Sequence, residues 1–292
     1  MKRLSCAAFA VSVLAVCVAS SARAGEIETG GKLLLTGGVS ALEGGAGGGL
    51  STWALIGGNE TSRGVGGSAH ATYVNVPDYE LRSAGVTLGL FDRVELSLAR
   101  QEFDTGATGA KLGLGKGFTF KQTVLGAKVR VLGDAVYTQD TWVPQVSVGA
   151  QYKDNNQDAI VRAVGAKDDS GVDYYVAATK LLLDKSLVLN GTVRMTKANQ
   201  TGLLGFGGAN GGYKPQFEGS AGYLLSKRLV VGAEYRTKPG NLAFAKEDDW
   251  MDLFAAYAVN KHLSVTAAYV DLGDIATFKN QRGVYLSLQA GF

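Results

Sequence analysis

From Leu50 to the final residue, apolar side chains recur at every second position in one short run after another. Residues two apart share a face of an extended chain, so each run predicts a strand with one apolar and one polar side. Ten such runs fall at 83–90, 94–98, 125–131, 142–152, 172–179, 187–196, 216–225, 229–236, 251–259 and 263–269. An eleventh sets Val284, Leu286, Leu288, Ala290 and Phe292 against Gly283, Tyr285, Ser287, Gln289 and Gly291. About ten residues is the length with which a tilted strand crosses a bilayer.

Five short turns join these runs: Phe91-Asp92-Arg93, Leu132-Gly133-Asp134, Asp184-Lys185-Ser186, Ser226-Lys227-Arg228 and Asn260-Lys261-His262. Longer polar or glycine-rich stretches intervene at 104–117, 153–171, 197–214, 239–247 and 273–282. Outer-membrane barrels alternate in this way, with short periplasmic turns and longer outward loops. A first strand near 50–57, with 58–80 as its outer loop, brings the count to twelve and leaves both barrel termini periplasmic. Residues 69–76 form a further run; paired with part of 31–41, they raise the count to fourteen. The expected fold is all-β, a transmembrane antiparallel β-barrel of about 12 strands within a range of about 10–14.

Energy decides which side meets lipid. An Arg or Lys at the lipid midplane costs about 2–4 kcal/mol in such barrels. Lys128, Arg130, Arg194 and Arg236 all fall on the polar side of their runs, so that side faces the lumen. Trp142, Tyr152, Tyr223, Tyr235, Tyr257 and Tyr269 fall on the apolar side near run ends, as interfacial girdles do; the same rings would also suit a soluble core.

The N-terminus changes the picture. Lys2 and Arg3, an apolar stretch from Ala7 to Val18, and Ala22-Arg23-Ala24 have the form of a signal peptide over residues 1–24, with cleavage marked by Ala22 and Ala24. A lipid-modified Cys17 fits less well, because Val16 is branched where a small residue is wanted. Cleavage removes both cysteines, Cys6 and Cys17, and with them any disulfide or thiol chemistry. It also removes three of the 29 basic residues and none of the 26 acidic ones, leaving 26 of each and no basic field for nucleic acid. Outside this segment no window of eighteen apolar residues offers a helical span.

Residues 25–49 are glycine-rich and read as a periplasmic or plug segment, with the barrel proper at 50–292. A glycine-rich stretch can cradle phosphate where it opens a helix, but Leu42 to Gly49 leads into a strand-like run.

With these patterns in hand, the chain resembles an uncharacterised bacterial domain-of-unknown-function family of outer-membrane proteins. The resemblance is carried by LEGGAGGGLSTWALIGG (42–58), FDRVELSLARQ (91–101), GAKDDSGVDYYVAATK (165–180), KANQTGLLGFGG (197–208), EYRTKPGNLAFAKEDDW (234–250), NKHLSVTAAYVDLG (260–273) and RGVYLSLQAGF (282–292). It implies a barrel in a Gram-negative outer membrane and brings no assigned activity. The last strand is also similar to the signal read by barrel-assembly machinery, here Tyr285, Leu288, Ala290 and Phe292. Ala290 and Ser287 depart from that pattern.

Candidate chemistry is thin. Only two histidines occur: His262 in a short turn, and His70 two residues from Ser68, with no Gly-x-Ser-x-Gly elbow anywhere. The chain is therefore expected not to be an enzyme. Acidic pairs at Asp168-Asp169 and Glu247-Asp248-Asp249 could hold Ca²⁺ or bridge to lipopolysaccharide, though solvated loops carry such pairs too. No cofactor or metal site is expected.

Function would reside in the lumen. The expected lining is Lys128, Arg130, Asp173, Tyr175, Arg194, Glu218, Glu234, Arg236 and Asp252, with Glu95 beside them. Counting outward from the 226–228 turn places Glu218 opposite Arg236, an attractive cross-strand pair. The leading expectation is a channel or transporter for a small polar solute. A structural or surface-interaction barrel with a closed interior is the alternative, for which a side-chain-filled lumen would speak, and an outer-membrane enzyme stands third. The expected partners are outer-membrane lipid and lipopolysaccharide, barrel-assembly machinery, and a small polar solute in the channel reading.

Overall fold

Period-two alternation is realised as twelve long strands in the computed structural model, which describes residues 29–292 apart from 210, 246 and 247. The expected cleavage residues, Ala22 and Ala24, lie outside the described residues. After two short strands, β1 (Val39–Ser40) and β2 (Ala46–Gly47), come β3 (Val65–Asn75), β4 (Glu80–Leu90), β5 (Val94–Asp104) and β6 (Thr119–Leu132). Then follow β7 (Gln145–Asn155), β8 (Ser170–Leu182), β9 (Leu187–Thr196) and β10 (Lys214–Ser226). The last four are β11 (Leu229–Arg236), β12 (Trp250–Ala258), β13 (Leu263–Asp271) and β14 (Arg282–Gly291). From β3 onward each strand pairs antiparallel with its sequence neighbour, and β14 pairs with β3. The sheet closes on itself and leaves no edge strand.

The first barrel strand is Val65–Asn75, and Leu50–Gly57 is not part of the wall. Twelve strands result because β3 takes the place expected for 50–57, and 31–41 supplies none of the wall. The expected outer loop at 58–80 is thereby replaced by a tight turn at 76–79. The physical reason is plain in the side chains. The lipid face of β3 carries Ala69, Ala71 and Tyr73, which give little hydrophobic contrast, while Leu50 and Trp53 to Ile56 are apolar because they are buried inside the barrel.

A second correction concerns Leu132-Gly133-Asp134, which opens a connection running from 133 to 144. Gly133 has φ +68° and turns the chain out of β6. The Asp134 carboxylate then accepts the amides of Val136 and Tyr137, both at 2.8 Å, which builds a side-chain-stabilised turn. Trp142 and Pro144 precede β7, and the exposed Trp142 ring lies 4.8 Å from Lys185 Nζ.

Alternation sorts the side chains as expected. Val86, Leu98, Leu125, Val193, Leu253 and Leu288 are exposed on the outer wall, whereas Gln101, Gln122, Gln151, Lys128 and Arg194 are buried inside. Glu218 pairs with Arg236 across β10 and β11, and a bulge at Leu224–Ser226 absorbs the irregularity of their turn. At the seam the Phe292 carbonyl accepts the amide of Gly67 at 3.0 Å and that of Asn59 at 3.2 Å.

Candidate functional site

The bore is occupied. Residues 39 to 58 are all buried within the ring of strands, although they belong to none of them. β1 and β2 form a small ladder there, pairing Val39 with Gly47 and Ser40 with Ala46. Most of this segment has no secondary structure to satisfy its backbone, and an unpaired peptide group in a dry interior is costly. The wall supplies the partners.

Near the short-turn end, Glu95 of β5 accepts the amide of Gly57 at 2.7 Å, and Lys128 of β6 donates to the carbonyl of Leu55 at 2.7 Å. The Ala54 carbonyl receives Gln145 Nε2 at 2.6 Å and Ser147 Oγ at 2.5 Å, while its amide donates to Thr179 Oγ1 at 2.8 Å. The Thr52 carbonyl receives Thr192 Oγ1 at 2.6 Å. Toward the long-loop end, Glu234 accepts the amide of Leu50 and Glu218 that of Thr52, both at 2.7 Å. Glycines allow this close approach: a Cβ on Gly48 would stand 2.0 Å from Glu234 Oε1.

Above these contacts lies a fully buried ion network. Arg194 Nε is 2.6 Å from Glu218 Oε1, and Lys153 Nζ is 2.7 Å from Asp173 Oδ2. Glu43 of the internal segment enters the same network through Lys153, Arg236 and Arg194. Residues 199–202 of the 197–213 loop fold inward over it. Gln200 and Thr201 adopt positive φ of 43° and 59°, which turns the Thr201 carbonyl to Lys153 Nζ and Gln122 Nε2, each at 3.2 Å. An apolar cluster including Leu203, Leu204, Val74, Tyr79, Phe103 and Trp250 seals that mouth. A second cluster with Trp53, Leu55, Val136, Val188 and Phe254 seals the other. The cavities left within these two clusters are about 20 Å³ each, and the larger concavities, about 870 and 690 Å³, lie mainly against exposed residues of the outer wall.

The structure places Lys128, Asp173, Tyr175, Arg194, Glu218, Glu234, Arg236 and Asp252 inside the barrel and buried. Arg130 sits apart at the short-turn rim, 2.7 Å from Asp92 and 3.2 Å from Asp134. Lys32 joins that rim group, 3.0 Å from Asp92 and 3.1 Å from Glu60. Burial pushes Glu60 up to about 7 despite Lys32 beside it, and its Oε2 has no hydrogen-bond partner among the described residues. Asp252 lies directly across the ladder from Glu234.

Two central residues were not legible as site residues: Lys153, which the sequence puts in an outer loop, and Glu43. Of the assembly residues, Leu288, Ala290 and Phe292 face outward, while Tyr285 turns inward and its hydroxyl donates to the Ser40 carbonyl at 3.4 Å. His70 is buried with Nε2 3.5 Å from Ser83 Oγ, which itself donates to the Leu42 carbonyl at 2.8 Å. His262 sits in a short turn, its Nδ1 2.8 Å from the Gly291 carbonyl. Among the described residues no group of three or more His, Cys, Asp or Glu is disposed to hold a metal.

A family model described as a protein of unknown function, DUF3034, matches residues 36–289, which takes in the internal segment and nearly all of the barrel. The chain belongs to the DUF3034 family. Its fold is similar to that of the KdgM porin, with a TM-score of 0.51 at 11% identity over 77% of this chain and 99% of that one. The KdgM porin in complex with disordered oligogalacturonate gives 0.50 at 10% identity over the same shares. Outer membrane phospholipase A from Escherichia coli gives 0.41 at 10% identity, over 77% of this chain and 95% of that one. No curated protein sequence matches the chain. At these identities the porin likeness shows the fold. The chain is a closed barrel of the outer-membrane kind, a class in which short turns are generally periplasmic and long loops face outward.

Proposed function

We propose that this protein is a closed outer-membrane barrel with a structural or surface-interaction role and no standing pore. One observation carries the reading: residues 39–58 fill the bore, and the wall bonds their backbone along its length. A passive channel needs a continuous wet path, and a space of about 20 Å³ holds about one water. Planar-bilayer recording tests this directly. The wild-type barrel is expected to pass no steady current, and steady current at low voltage would return the solute-channel reading. No catalytic role is proposed for His70 or His262.

A second reading is favoured by the character of the wall. A permanently filled barrel could be packed with apolar side chains, whereas Glu95, Gln145, Thr179, Asn190, Glu218 and Glu234 leave a hydrophilic lining wherever the segment is absent. In this reading the barrel is a gated channel for a small polar solute, opened when the internal segment withdraws. Ser40 Oγ donates to Gln289 Oε1 at 2.8 Å, so a Ser40→Cys/Gln289→Cys pair bridged by a short, reducible bis-methanethiosulfonate cross-linker would tie the segment to β14. Solute entry that stops on cross-linking and returns under reduction supports gating; entry indifferent to the bridge removes it.

A further inference from the structure

Residues 36–57 bring one charged side chain into the bore, Glu43. Around it the wall sets three cations, Lys153, Arg194 and Arg236, against two carboxylates, Asp173 and Glu218. Without Glu43 this buried group carries one positive charge in excess; with it the charges balance.

The contact has the form of a bound carboxylate. Arg236 donates through Nη1 to Oε2 at 2.9 Å and through Nη2 to Oε1 at 3.1 Å, a two-pronged grip. Lys153 Nζ donates to Oε1, and Arg194 Nη2 stands 3.6 Å from Oε2. These donors come from β7, β9 and β11, so three separate strands converge on one carboxylate. Arg194 is held in turn by Gln151 Oε1 at 2.6 Å, and the Asp173 carboxylate accepts from Thr196 Oγ1, so the cradle is fixed from the wall side.

We infer that this cradle is a carboxylate-binding site of the barrel wall, filled in the closed state by Glu43 and suited, once vacated, to the carboxylate of a small acidic solute. A neutral solute of the same size brings no counter-charge, so wherever it displaces water from the cradle the excess cation loses hydration without gaining a partner. The solute role rests on the gated reading; the site itself does not.

Full-length Glu43→Ala protein, refolded in detergent with sodium acetate or with acetamide plus sodium chloride at equal ionic strength, separates the two claims. The variant is expected to melt below wild type, with acetate restoring most of the lost Tm and acetamide restoring little. Equal effects of the two additives overturn the site. Should Glu43→Ala fail to fold, Glu43→Gln supplies the second measurement. The isosteric amide leaves the cationic excess, so Lys153→Met added to it should raise Tm again; no rise overturns the site. In liposomes, Glu43→Ala barrels are expected to admit glucuronate at least about tenfold faster than glucose, the factor one charge-assisted hydrogen bond supplies. Acetate rescue without entry of either sugar keeps the site and removes gating. Entry of both at one rate overturns the preference for carboxylate.

Discussion

Lys128 and Glu95 face each other across β5 and β6, 3.0 Å apart and almost wholly buried, and each also holds the internal segment. Neither group can be removed alone without leaving a buried charge. Lys128→Met is therefore expected to destabilise the barrel by about 3–5 kcal/mol. Adding Glu95→Gln should recover part of that loss. Urea unfolding in detergent, followed by heat-modifiable gel migration, reads both values, and a double variant as weak as the summed singles would show that the charges do not act as a pair.

Trp53 fills the short-turn end of the bore, packed in its apolar cluster with Nε1 donating to Ser220 Oγ at 2.9 Å. Trp53→Ala should cost about 3–5 kcal/mol, since the rigid wall cannot collapse onto the space. In bilayers the same variant is expected to show brief current openings that wild type lacks.

Glu60 supplies a pH dependence. Its carboxyl titrates at about 7 when folded and near the ordinary 4.5 when unfolded, so the folded state holds the proton more tightly. Its effect on stability is most favourable below pH 4.5 and declines as pH rises through 7. The decline amounts to about 3 kcal/mol at 1.36 kcal/mol per unit. Glu60→Gln should flatten this part of the profile, and an unchanged slope would assign it to another group.

Phe292 closes the seam through its backbone and exposes its ring on the outer wall. Deleting it removes the acceptor shared by Gly67 and Asn59. Membrane insertion measured after pulse labelling should fall. Normal insertion would show that Leu288 and Ala290 suffice as the assembly mark.

The barrel was legible wherever a strand separates lipid from polar interior, because that contrast is written at every second residue. Ten interior runs, the terminal strand and the Glu218–Arg236 register all follow from it. It failed where the contrast is absent. β3 offers lipid small residues, whereas the occluding segment buries Leu50, Trp53, Leu55 and Ile56 against the inner wall, so 50–57 has more of the look of a strand than 65–75. Lys153 was hidden by the polar run that follows it, although β7 extends to Asn155 and carries Lys153 inward. A signal for Glu43 did exist: it is the lone charge in a long neutral, glycine-rich stretch. Its partners lie more than a hundred positions away, and no local pattern reaches them.

The bond between Ser40 and Gln289 spans 249 positions, and contacts of such separation form late. Until β14 meets β3, the arc of strands has an open seam, and the polar wall of the bore faces water with its occupant unlatched. Closing the sheet and latching its occupant are therefore one event, because the strand that completes the ring, β14, also carries the side chain that holds Ser40.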